Sequence, residues 1–176
     1  GGSVWTKDWR SGKCCCVGQG IRQIPLDMAG PGRAKAVSTI YFFDVSLGRL
    51  TPASFAAFPN LEEIFLDRAS LLAHVDSRAF SGLKKLRKIA VLNSGALREL
   101  PLLEMGPQHS LPMERIDFSG GHLSANPSLD YIAETAFAGL AHIEHLDMSQ
   151  TDITALPFIG LRSLKQLTLK VFNLVS

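Results

Sequence analysis

Cysteine is nearly absent from this sequence: Cys14, Cys15 and Cys16 stand together, and there are no others. A framework of several disulfides is therefore excluded. No charge predominates, with 18 basic residues against 16 acidic and a formal net charge of +2. The Lys/Arg stripe of a nucleic-acid binder is missing. No apolar run approaches the ~20 residues that a membrane span needs. Gly1-Gly2-Ser3 has no charged head followed by an apolar stretch, so no signal peptide is read there. Neither a Gly-x-Ser-x-Gly elbow nor a His-Glu-x-x-His motif occurs. Gly30-Pro31-Gly32 lacks the Gly-Lys-Ser/Thr of a phosphate loop and reads as a turn. With no catalytic constellation to name, an enzyme is not expected, nor is a cofactor or a metal. The 46% hydrophobic and 19% charged content is that of an ordered globular chain.

What the sequence does have is a repeat. Apolar residues recur in one register: Val37, Ile40, Phe42, Leu47, Leu50, Phe55 and Phe58 come first, then Leu61, Ile64, Leu66, Leu72, Val75, Phe80 and Leu83. Further copies begin at Leu86, Met113, Ile143 and Leu164, the last running off at Leu174. The starts 37, 61, 86, 113, 143 and 164 are unevenly spaced, as a solenoid tolerates when insertions sit in its loops. Within each copy, positions 1 to 6 read as a short strand with positions 4 and 6 turned inward. The predicted fold is α/β: a solenoid with a curved parallel β-sheet on the concave face and short helical or irregular convex segments. Phe55 and Phe80 are read as core residues of the convex return. The stretch 119–128, with Gly120-Gly121 and Asn126-Pro127, reads as an exposed loop.

Residues 1–36 are expected to be an N-terminal cap and 37–176 six repeats, the last incomplete and without a C-terminal cap. A cysteine cluster ahead of a repeat array reads as a disulfide-bearing cap in an oxidising compartment, with Cys14 as the expected partner of Cys16. Three cysteines could also hold zinc, but no further His or Cys follows until His74. Leu164, Leu167 and Leu169 lack a covering cap, and burying each is worth roughly 1.5–3 kcal/mol. A symmetric homodimer through that edge is therefore expected.

The register resembles extracellular leucine-rich repeats over residues 14–176. Two stretches resemble the hormone-binding ectodomains of glycoprotein hormone receptors. One is Leu146-Asp147-Met148-Ser149-Gln150-Thr151 with Ile153 to Pro157 and Gly160-Leu161; the other is Leu92-Asn93-Ser94-Gly95 leading to Leu100-Pro101. The stretch from Cys16 to Pro25 is similar to the cap of variable lymphocyte receptors, although that cap has four separated cysteines. The resemblance implies a secreted or cell-surface recognition domain whose ligand is a protein hormone. The alternative it implies is an innate-immune protein binding microbial surface glycolipids. Position 9 is often Asn in such repeats, yet here it is Val45, Ala69, Ser94, Gly121, Thr151 and Phe172. Of these, only Ser94 and Thr151 can bond in place of Asn.

Positions 3, 5 and 7 should project from the concave face. They bring Tyr41, Phe43, Phe65 and Leu92 into one apolar cluster, bordered by Glu63, Asp67 and Lys88. Asp117, His145 and Asp147 follow in the other half. Exposed aromatics beside charges are the usual make-up of a binding hot spot. The expected ligand-binding set is Tyr41, Phe43, Phe65, Asp67, Lys88, Leu92, Asp117, His145 and Asp147. The run Lys84-Lys85 with Arg87-Lys88 reads as a solvated face, the rival being an acidic-partner contact. His142, Glu144 and His145 invite a metal reading, but residue 142 precedes the strand and 145 lies on it, so they need not face the same way.

Overall fold

The computed structural model describes residues 12–24, 32–120, 129–140, 142–157, 161 and 165–168, together with the backbone of 4–8. Its centre is one eight-stranded sheet. Two strands lead: β1 (Val4–Asp8) and β2 (Lys13–Val17). The repeats then contribute β3 (Thr39–Phe43), β5 (Glu63–Asp67), β7 (Lys88–Leu92), β9 (Met113–Asp117), β11 (Ile143–Asp147) and β12 (Gln166–Thr168). Two-residue strands lie on the return path: β4 (Arg49–Leu50), β6 (His74–Val75), β8 (Glu99–Leu100) and β10 (Tyr131–Ile132). All pairings in the main sheet from β2 to β12 are parallel, and β1 runs antiparallel to β2.

The repeat register is the sheet register. Ile40 pairs with Ile64, Ile64 with Ile89, Ile89 with Ile116, and Ile116 with Leu146. All five are buried, as are Phe42, Leu66, Val91, Phe118 and Met148 two residues on. Side chains alternate across a strand, so two positions per repeat are enough to build one core column. Phe55 stacks on Phe80 with ring centroids 5.9 Å apart and planes at 17°. Met105 stands as far after Leu100 as Phe80 does after Val75, and it too is buried. Phe137 is buried in the following repeat.

The return path is irregular. Among the described residues its one helical element is the 3-10 turn Ala34–Ala36. Elsewhere single turns close locally, as where the amides of Ser54 and Phe58 donate to Thr51 and Phe55 carbonyls. Segments this short cannot repay the cost of nucleating an α-helix. The short strands pair as β4 with β6 and β8 with β10.

Residues with left-handed backbone directly follow β3, β5 and β7, and another lies in the turn after β11. Asp44, Arg68, Asn93 and Gln150 have φ between 53° and 58°. The turn keeps the ladder going: the Asp44 amide donates to the Asp67 carbonyl and the Arg68 amide to the Leu92 carbonyl. Gly18 takes the same place at the start, its amide donating to the Phe43 carbonyl. One residue further, Val45, Ala69, Ser94 and Thr151 are buried. Ser94 Oγ donates to the Leu92 carbonyl at 3.0 Å and Thr151 Oγ1 to the Met148 carbonyl at 2.8 Å. The two hydroxyls thus bond turn backbone as expected, while Val45 and Ala69 pack. Gly121 and Phe172 lie outside the described residues.

The cysteine expectation is corrected. β2 is a strand of the solenoid sheet, with Cys14 paired to Ile40 and Cys16 to Phe42. Both cysteines are buried core residues, and Cys15 faces the other way, half-buried beside Tyr41. Residues two apart on a strand are separated by roughly 6.6 Å of rise. A disulfide needs Cβ atoms about 3.5–4.5 Å apart. Among the described residues no Cys14–Cys16 bridge forms. Leu164, Leu169 and Leu174 lie outside the described residues, as do 121–128 of the expected loop; Leu167 is 43% exposed. Ser119 and Gly120 are buried, and the Gly120 amide donates to the Ser149 carbonyl.

Candidate functional site on the concave sheet

Parallel register turns the outward positions into rows across the sheet. One row runs Cys15, Tyr41, Phe65, Ala90, Asp117, Asp147 and Thr168. Flanking it are Lys13, Thr39, Glu63, Lys88, Arg115, His145 and Gln166 on one side. On the other side stand Val17, Phe43, Asp67 and Leu92.

The Tyr41 and Phe65 rings stack with centroids 4.8 Å apart and planes at 7°. Both are half-buried, each covering one face of the other. Phe43 is 39% exposed, and the Arg68 guanidinium lies 5.2 Å from its ring centroid. Val17 is also exposed, so the apolar area extends past Phe43 onto β2. Val17 and Cys15 escaped sequence reasoning because they precede the first recognisable repeat. Their signal was the alternation of Cys14, Cys16 and the residues between and after them.

Lys88 Nζ lies 2.9 Å from Glu63 Oε1, and Asn93 Nδ2 donates to Asp67 Oδ1 at 2.7 Å. Leu92 is half-buried. Arg87 spans three carboxylates, reaching Glu62 at 3.2 Å, Glu63 at 3.2 Å and Glu114 at 2.7 Å. Its pKa is raised, chiefly by the hydrogen bond with Glu114. Arg87 and Lys88 are therefore committed to internal ion pairs, while Lys84 and Lys85 are solvated.

The second half of the face is polar. Asp117 departs from expectation: it is 5% exposed and cannot present its carboxylate to a ligand. Its Oδ1 accepts from the Ser119 amide at 3.0 Å and from Ser119 Oγ at 2.6 Å. Its Oδ2 accepts from Arg115 Nη2 at 2.6 Å. The turn after β9 folds onto the carboxylate and removes it from water. Asp147 stays half-exposed, its Oδ1 accepting from the Ser149 amide at 2.9 Å and its Oδ2 3.7 Å from Arg115 Nη2. His145 Nδ1 lies 3.0 Å from Gln166 Oε1. Glu144 accepts from Lys165 Nζ at 2.7 Å, which holds its pKa below the usual carboxylate value. Among the described residues no group of His, Cys, Asp and Glu is arranged to hold a metal ion.

Two hollows lie away from these rows. One of about 430 Å³ is lined by Tyr131, Ile132, Glu134 and Leu156, the other, of about 410 Å³, by Ile24, Leu47 and Arg49 among others. No helix among the described residues is long and apolar enough to cross a membrane.

No family model matches the chain. Human leucine-rich repeat-containing protein 4C is 34% identical over 97 residues, which is 54% of this chain and 13% of that protein. The pig thyrotropin receptor is 30% identical over 74 residues, 38% of this chain and 10% of the receptor. The chain therefore spans a small part of the length of both relatives. Neither likeness is to a variable lymphocyte receptor, and the cap resemblance gains no support from them. The repeated register, the parallel sheet it builds and these partial likenesses agree that the chain folds as a leucine-rich-repeat solenoid.

Proposed function

We propose that this chain is the recognition part of a receptor-type protein, outside the cell, that binds a protein ligand on its concave sheet and performs no catalysis. The stacked, half-exposed pair of Tyr41 and Phe65 is the observation that carries the reading. Exposed aromatics at fixed spacing make good anchors, because a rigid sheet loses little freedom when it binds. Phe43 extends the anchor, and Asp67, Lys88 and Leu92 border it. His145 and Asp147 offer polar contacts further along; Asp117 is withdrawn from the set because it is buried. The likeness to a receptor for thyrotropin favours a protein hormone over a microbial glycolipid as the ligand. That likeness, and not the cysteines, also supports a place outside the cell.

The test is a binding panel of glycoprotein hormones and bacterial surface glycolipids. Tyr41→Ala and Phe65→Ala should each weaken a bound protein hormone by about 2 kcal/mol or more, as hot-spot truncations do. If both variants fold normally and bind a proven ligand as tightly as the parent, the concave-face assignment is wrong. Binding of glycolipid alone would favour the immune reading instead.

A further inference from the structure

We infer that the edge of the concave sheet formed by Val17, Phe43 and Arg68 is a docking point for a protein segment that presents a carboxylate beside an apolar side chain. The inference rests on the concave-face reading and names the chemistry of the partner at one border of it. Val17 and Phe43 are neighbours in the sheet register and are among the exposed large apolar residues of the described chain. Apolar side chains exposed together next to a cation ask for a partner with both characters.

Arg68 supplies the cation. Its backbone is fixed twice, by the left-handed turn at φ 58° and by the amide bond to the Leu92 carbonyl. The guanidinium stacks over Phe43, 5.2 Å from the ring centroid. Stacking holds a guanidinium plane while leaving its edge donors available to a carboxylate. The other arginines that border or occupy this sheet are committed, Arg87 to Glu62, Glu63 and Glu114, and Arg115 to Asp117. Among the described residues no ion pair engages Arg68. The adjacent Asp67 carboxylate is taken by Asn93 Nδ2 at 2.7 Å. Asp44, one repeat earlier in the same row, is reached by Gln19 Nε2 at 3.4 Å. The edge thus holds a positioned guanidinium without its usual bidentate acceptor, on an aromatic ring open to solvent.

The experiment titrates the folded protein with two twelve-residue peptides, neutral apart from a central Phe-Asp or Phe-Asn pair, and follows the Arg68 Nε–H resonance by NMR. The Phe-Asp peptide should shift that resonance, and the Phe-Asn peptide should bind about tenfold more weakly or worse, the loss expected for one charge-assisted hydrogen bond. Arg68→Met, which keeps the packing stem and the strained backbone, should lose the same factor, and Arg68→Lys should keep part of it. Raised salt should weaken the acidic peptide alone. Equal binding of the two peptides, or an Arg68→Met variant that binds like the parent, would overturn the inference, as would an Arg68 resonance unmoved at millimolar peptide. The two readings fail separately. Loss with Tyr41→Ala and Phe65→Ala but not with Arg68→Met or Phe43→Ala leaves the central platform standing and removes the edge. The converse pattern keeps the edge and removes the platform.

Discussion

Tyr41 and Phe65 should behave as a coupled surface pair rather than as core residues. Each ring buries one face against the other at 4.8 Å and leaves part of itself in water. Full burial of such a side chain is worth about 1.5–3 kcal/mol, so a half-buried ring should contribute roughly half of that. Stacking adds about 0.5–1.5 kcal/mol, which either single substitution removes. Tyr41→Ala and Phe65→Ala are therefore each expected to destabilise the fold by about 1.3–3 kcal/mol. The double variant should cost less than the sum of the singles by about 0.5–1.5 kcal/mol, because the stacking can be lost only once. Phe55→Ala and Phe80→Ala remove fully buried rings and should cost about 3–5 kcal/mol each. Urea unfolding of all five variants, compared at a constant m-value, measures these differences. Additivity within about 0.3 kcal/mol would refute the stacking. A loss at Tyr41 or Phe65 as large as at Phe80 would refute the surface assignment, and with it the reason for calling the pair a binding anchor.

Other consequences are directly measurable. Asp44 sits at φ 54°, so Asp44→Gly should leave stability within about 0.5 kcal/mol of the parent, while Asp44→Val should cost about 1–2 kcal/mol because a β-branched residue resists that backbone. A larger loss for glycine than for valine would contradict the turn geometry. By NMR titration Glu144 should ionise below the ordinary glutamate range, and Lys165→Ala should return it there. Because the folded-state pKa is lowered, the interaction should stabilise above the ordinary value and fade as pH falls through the depressed one. An unmoved Glu144 midpoint in Lys165→Ala would remove that ion pair from the account. Ellman's reagent should react with Cys15 in the folded protein and with Cys14 and Cys16 only after unfolding, since the first is half-exposed and the others are buried. Simultaneous labelling of all three would contradict the placement of β2.

Periodicity alone determined the solenoid, the inward column from Ile40 to Leu146 and the outward set that includes Tyr41, Phe43 and Phe65. It could do so because a strand alternates its side chains and a parallel sheet repeats one register, so local order in the chain becomes long-range order in space. Tertiary structure alone decided the rest. That β2 joins the sheet, turning Cys14 and Cys16 into packing residues, depended on pairing with β3 and not on any repeat in residues 14–17. Asp117 was read as exposed from its position in the strand, and it is buried because the following turn brings Ser119 onto its carboxylate. The left-handed turns at Asp44, Arg68, Asn93 and Gln150 carry no common residue type to read, and at Asp44 and Arg68 the turn amide is held by the hydrogen-bonded ladder between repeats. The stacking of Arg68 on Phe43 joins residues from adjacent repeats, and only the register between strands brings them together.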